Sequence, residues 1–152
     1  MEKFKVLLVD DEEEFVKSLS ERLHIREMNS DLAFNGEQAL ELVSDEVPDV
    51  MVLDLRMPGI DGMEVLRRVK KSYPEVQVII LTGHGSDKDE AEARKLGAFA
   101  YLQKPADLDT LVDTLKRAYR TKMEKTMAAA AFAEAGEFET ARKIAEDDSK
   151  KD

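Results

Sequence analysis

Three carboxylates stand immediately after apolar, β-branched runs. Asp10 and Asp11 follow Val6–Val9, and Asp54 follows Val50–Leu53. Thr82 follows a further run at Val76–Leu81, and Lys104 comes just after Ala98–Leu102. An acid that ends a buried apolar run is costly without a partner. Several anions in one place repel each other, and burial raises that cost. A hard divalent cation removes the conflict, because Mg²⁺ takes oxygen ligands from one or two carboxylates, water and phosphate. The chain has no cysteine and only two histidines, so no cluster competes for a softer metal. A hydroxyl at Thr82 and an ammonium at Lys104 suit the oxygens of a phosphoryl group. Asp54 is then free to act as nucleophile and form an acyl phosphate. Such a transfer needs little beyond positioning and charge neutralisation.

That chemistry requires the five residues to meet at one edge of a sheet. Val6–Val9, Val50–Leu53 and Val76–Leu81 are continuously apolar, and Asp31–Phe34 and Ala98–Leu102 are weaker strand candidates. Continuous apolar strands predict a parallel sheet covered on both faces. Helical spacing lies between them, in Phe15, Leu19 and Leu23, in Val65, Leu66 and Val69, and in Leu108, Leu111, Val112 and Leu115. Five strand–helix units predict a doubly wound α/β domain. If the strand order is 2-1-3-4-5, strands 1 and 3 are neighbours. Asp10, Asp11 and Asp54 then converge outside the carboxyl ends of the strands, where ligands of open parallel sheets bind.

Val-Asp10-Asp11, Asp54-Leu-Arg-Met-Pro58-Gly-Ile-Asp-Gly62, Leu-Thr82-Gly83 and Lys104-Pro105 together resemble the motifs of bacterial response-regulator receiver domains. The resemblance covers about residues 3–120 and rests on four motifs in the right order and spacing. It implies a flavodoxin-like fold with five parallel strands. It implies Asp54 as phosphoacceptor and Mg²⁺ as cofactor. Asp11 is the implied direct ligand, Asp10 a weaker or water-mediated one, and the Arg56 backbone carbonyl a further one. Thr82 and Lys104 hold the phosphoryl oxygens in this reading. Thr82 and Tyr101 form the switch, and Arg56 and His84 stand at positions that tune dephosphorylation. The Lys104–Pro105 bond is expected to be cis. The implied donor is a histidine kinase or phosphotransfer protein. The output is expected through protein contacts, and a second copy is a candidate partner through the face of the fourth helix, fifth strand and fifth helix, or through the C-terminal extension.

Structural alternatives exist for single residues. Asp11 with Glu14 three positions on also reads as a helix cap with its reciprocal acid. Asp61-Gly62 reads as a turn and helix start. Thr82 alone suits a strand-end hydroxyl, Lys104 alone a surface lysine, and Tyr101 a core aromatic. Competing functions fit less well. A dinucleotide site needs glycines after the first strand, where this chain has Asp10-Asp11-Glu12-Glu13-Glu14. A haloacid-dehalogenase type of phosphatase needs an acid two residues after its nucleophile, where this chain has Arg56. The expectation is therefore a phosphoacceptor and not an enzyme. A module that has lost its need for phosphorylation is disfavoured by the complete acidic set.

The net charge of −10 at pH 7 argues against a nucleic-acid binder, which needs a basic face. No apolar run approaches the length of a membrane span, and a cytoplasmic location is expected. Past Leu115 the spacing continues through Tyr119, Met123 and Met127, so the last helix should run beyond the receiver. The expected division is a receiver at 1–120 and a helical extension at 121–152. Gly136 should interrupt that extension, with a second helix over Glu137–Glu146 and a frayed end. Residues 129–145 have spacings like half of a tetratricopeptide repeat. No DNA-binding output domain is expected after residue 120.

Overall fold

The computed structural model describes residues 4–134. Ten elements alternate along the described residues. The strands are β1 (Val6–Val9), β2 (Ser30–Ala33), β3 (Val50–Leu53), β4 (Gln77–Thr82) and β5 (Ala100–Gln103). The helices are α1 (Glu13–Ile25), α2 (Gly36–Asp45), α3 (Gly62–Ser72), α4 (Asp87–Lys95) and α5 (Leu108–Glu134). All strand pairings are parallel, and the order is β2-β1-β3-β4-β5, as expected.

The alternation of side chains along each strand divides the core into two layers. Leu7, Val9, Met51, Leu53, Val78 and Ile80 pack against α2, α3 and α4. Val6, Leu8, Val50, Val52, Ile79 and Leu81 pack against α1 and α5. Both faces are dry, which explains why β1, β3 and β4 are buried at every residue. The anticipated helical stripes form this cover, since Leu19, Leu23, Val65, Leu66, Val69, Leu111, Val112 and Leu115 are all buried. In α1 the third buried residue is Val16, and Phe15 is only partly buried.

Boundaries differ from the sequence reading by a residue or two. The fifth strand starts at Ala100 and not Ala98. Gly97 takes φ +105°, and the Ala98 N–H bonds back to Ala93 O, so these residues end α4. Helix α1 starts after Glu12, which makes no side-chain cap. The alternative of an Asp11 cap is therefore not realised. Asp61 does cap α3, accepting from Glu64 N at 2.9 Å.

Lys70 is a buried lysine that the sequence reading passed over. Its ammonium donates to Pro74 O at 2.8 Å and Val76 O at 2.9 Å, tying the α3–β4 turn. The Lys104–Pro105 bond is cis. Helix α5 continues without a break through residue 120, as expected for a helix that outlasts the receiver. Gly136, the proposed Glu137–Glu146 helix and the end of the chain lie outside the described residues.

Gly62 sets the approach of α3 to the end of β3. A Cβ there would stand 2.1 Å from Asp54 O and 2.6 Å from Leu55 Cα, and both obstacles are backbone. Gly62→Ala should therefore lower stability by about 3 kcal/mol, the upper range for overpacking. Urea unfolding reads this directly, and an unchanged midpoint would show that the loop yields freely.

Candidate functional site

The register of the sheet places the site. Val9 pairs with Leu53 at the carboxyl ends of β1 and β3, so Asp10 and Asp54 leave the sheet side by side. Backbone bonds hold both, from Asp10 N to Ala33 O at 3.1 Å and from Asp54 N to Val9 O at 3.0 Å. Thr82 ends β4 beside Gln103, and Lys104 N donates to Thr82 O at 2.9 Å. Four of the five chemically suggestive residues thus meet at one rim. Asp10, Asp54 and Thr82 are buried there.

Lys104 is the cation of the pocket. Its ammonium lies 2.5 Å from Asp10 Oδ2, 3.0 Å from Glu12 Oε1 and 3.9 Å from Asp54 Oδ2. It also sits 4.2 Å from the centre of the Phe15 ring, a favourable cation–π distance. Burial pulls the lysine down, but its hydrogen bonds to Asp10 and Glu12 outweigh that and hold it above 10.5. Burial pushes Asp10 above 3.8, only partly offset by the bonds from Lys104 and the Glu12 N–H.

The acidic trio differs from the one expected. Ligand oxygens of Asp10, Glu12 and Asp54 come within 4.8 Å of one another, and Asp11 is not in that group. The cause is a local turn. Asp10 Oδ1 accepts the Glu12 N–H at 2.9 Å, an Asx-type bond two residues on. Glu12 thereby comes back over the site. Asp11 and Glu12 are both exposed. Glu12 was legible only as one acid in a run of five, and no spacing rule singles it out.

Asp54 Oδ1 is buried and has no hydrogen-bond partner. A buried carboxylate oxygen left bare is expensive. Together with the trio of carboxylates, this fits a hard, oxygen-seeking cation such as Mg²⁺. The oxygen donors are of the right kind, and no sulfur or imidazole takes part.

Thr82, His84, Arg56 and Tyr101, expected to switch and to tune, also lie close together. The Thr82 hydroxyl accepts the His84 N–H at 3.4 Å, and the Arg56 guanidinium donates to His84 O at 3.3 Å. Arg56 also pairs with Asp89 of α4 at 3.8 Å. Tyr101 is 9% exposed, and its hydroxyl is buried without a partner. That hydroxyl fills the space over Gly85. A Cβ on Gly85 would be 1.5 Å from it and 3.0 Å from Thr82 Cγ2. The ring is therefore turned in beside Thr82 in this structure.

A five-stranded parallel sheet with acids, hydroxyl and lysine at one rim defines a receiver. The profile of the response regulator receiver domain matches residues 6–116, and the chain belongs to that family. It is 38% identical to a putative NtrX-like response regulator of Rickettsia typhi over 128 residues, 82% of this chain and 27% of that protein. It is 37% identical to the sporulation initiation phosphotransferase F of Bacillus subtilis over 113 residues, 74% of this chain and 91% of that one. The receiver domain of a Clostridium thermocellum response regulator superposes with a TM-score of 0.75 at 34% identity, covering 79% of this chain and 97% of that one. The chain thus spans about a quarter of the length of its NtrX-like relatives, at 27%. No helix among the described residues is long and apolar enough to cross a membrane.

Burial first, then the charges of Asp89 and Glu90, hold the Tyr101 phenol above 10.0. Its ionisation is disfavoured in the fold, so any stability tied to the neutral ring persists below pH 10.0 and fades as pH rises beyond it. Gly85→Ala should expel the ring. An alkaline absorbance titration, with Tyr101→Phe identifying the signal, should then show Tyr101 falling back toward 10.0. An unmoved titration would mean that the ring is not held by the space over Gly85.

Proposed function

We propose that this chain is a phosphorylation-driven switch that takes a phosphoryl group onto Asp54 from the phosphohistidine of a kinase or phosphotransfer protein. The observation that carries this reading is the unpartnered, buried Asp54 oxygen beside Lys104. A nucleophile must keep a lone pair free, and Asp54 Oδ1 does. In the transfer the phosphorus–nitrogen bond of the donor breaks and a phosphorus–oxygen bond to Asp54 forms, with the imidazole leaving.

Asp10 and Asp54 are the buried oxygen donors for Mg²⁺, with the Arg56 backbone carbonyl. Asp11, which is exposed like Glu12, would add a direct carboxylate ligand. When bound, the ion neutralises charge on the phosphoryl oxygens and on the acids around them. Lys104 supplies the second neutralising charge, and its 3.9 Å approach to Asp54 places it for that role. Thr82 donates its hydroxyl to a phosphoryl oxygen. The same hydroxyl oxygen accepts the weak 3.4 Å bond from the His84 N–H, which leaves its own proton available.

Tyr101 and Thr82 bound the same small space over Gly85. A shift of Thr82 toward the phosphoryl group therefore alters the packing of Tyr101, β5 and α4. This is a local charge change that biases a two-state element. Arg56 and His84 cover the mouth and set how easily water reaches the acyl phosphate. The changed surface of α4, β5 and α5 then meets a downstream protein or a second copy.

Intact-mass analysis after incubation with acetyl phosphate and Mg²⁺ tests this. One phosphate per chain is expected, with none on Asp54→Asn and none when a chelator removes the metal. Labelling that plateaus at one per chain separates a receiver from an enzyme that turns over. Equal labelling of Asp54→Asn would move the phosphoacceptor elsewhere.

A further inference from the structure

Lys104 carries its charge on a long, flexible stem, so something must hold the ammonium at the acidic rim. Its hydrogen bonds run to one side. Asp10 Oδ2 at 2.5 Å and Glu12 Oε1 at 3.0 Å both lie between β1 and α1, whereas Asp54 Oδ2 is 3.9 Å away. The ring of Phe15 adds a contact of another kind, with its centre 4.2 Å from the ammonium. Lys17 over Phe34 and Arg117 over Phe99 lie at 5.8 and 5.9 Å, the outer edge of cation–π range. The Lys104 pair is well inside it, and the lysine side chain is only 13% exposed. A desolvated cation gains more from a ring face than a hydrated one.

The core claims only part of Phe15. Val16, Leu19 and Leu23 form the buried face of α1, and Phe15 is partly buried at the edge of that layer. It stands in the first turn of α1, just past the Asx-type bond that turns the chain at Asp10. We propose, on the reading that Asp54 accepts the phosphoryl group, that Phe15 is a positioning residue for the transfer. Its ring face keeps the Lys104 ammonium at the mouth of the pocket, ready for the phosphoryl oxygens.

A ring suits this task better than a further acid. An aromatic face attracts a cation through its quadrupole and carries no net charge. Another carboxylate beside Lys104 would hold the ammonium too, but it would repel the incoming phosphoryl oxygens. It would also bind the ammonium along a preferred hydrogen-bond direction. The ring sets no such direction, so the ammonium can turn from Asp10 toward the phosphoryl group without leaving the pocket. Phe15→Leu would keep an apolar side chain at that place but leave Lys104 to the carboxylates.

Phenylalanine analogues with one, two and three ring fluorines, placed at position 15, weaken the negative face and nearly keep its shape. In the full chain with acetyl phosphate and Mg²⁺, the rate of labelling on Asp54 should fall stepwise, to about one third with the most fluorinated ring. A second readout needs neither metal nor phosphate. The ε-methylene protons of Lys104 should give NMR signals shifted upfield by the ring, moved downfield in Phe15→Leu and kept in Phe15→Tyr. A labelling rate indifferent to the fluorines would overturn the role of Phe15 and leave Asp54 as phosphoacceptor. Lys104 signals unmoved by Phe15→Leu would overturn it as well. No label on Asp54 in the wild type would remove the phosphoacceptor reading, and the role of Phe15 with it.

Discussion

The site depends on one electrostatic arrangement: two buried carboxylates side by side, with one ammonium between them and the solvent. Asp10 and Asp54 are 4% and 3% exposed. Two carboxylates this close repel each other, and burial raises the cost. Lys104 relieves that unevenly, because it leans to Asp10 at 2.5 Å and stays 3.9 Å from Asp54. The imbalance leaves Asp54 incompletely compensated and one of its oxygens bare. An acid in that condition favours the approach of a hard cation. The same tension that costs stability prepares the chemistry.

The rest of the fold keeps that arrangement in place. The parallel pairing of β1 with β3 makes the two aspartates neighbours, and the β4–β5 pairing brings Lys104 alongside Thr82. Gly62 lets α3 start against the Asp54 backbone, so the loop after Asp54 is packed and not loose. Beside the site, Arg56, His84, Asp89 and Tyr101 form a connected patch from the loop after β3 to α4 and β5. A change at Asp54 has a short physical route to that surface.

Most of the fold was legible because its signals are local. Apolar runs ending in acid, hydroxyl or lysine marked the strands. Stripes such as Val65, Leu66 and Val69 marked the helices that cover them. Helix α4 gave almost no such signal, since only Ala93 is buried in it and its sequence is mostly charged. It is held by its Ser86–Asp89 capping box and by β5. Lys70 was equally silent, because a lysine that caps carbonyls of its own turn looks in sequence like any surface lysine.

The sequence by itself determined which residue types could do chemistry, and that they would stand at strand ends. Residue type and spacing are properties of the chain, and side-chain alternation along a strand follows from backbone geometry. Which acids share the pocket was decided by tertiary structure. The Asx-type turn at Asp10 brings Glu12 over the site and leaves Asp11 outside the trio. The inward seat of Tyr101 was decided there too, by the space that Gly85 leaves between two loops. The Asx-type bond is local, but it aims Glu12 at a pocket whose other members, Asp54 and Lys104, are distant in sequence, and the Tyr101 seat likewise needs a contact between separated segments.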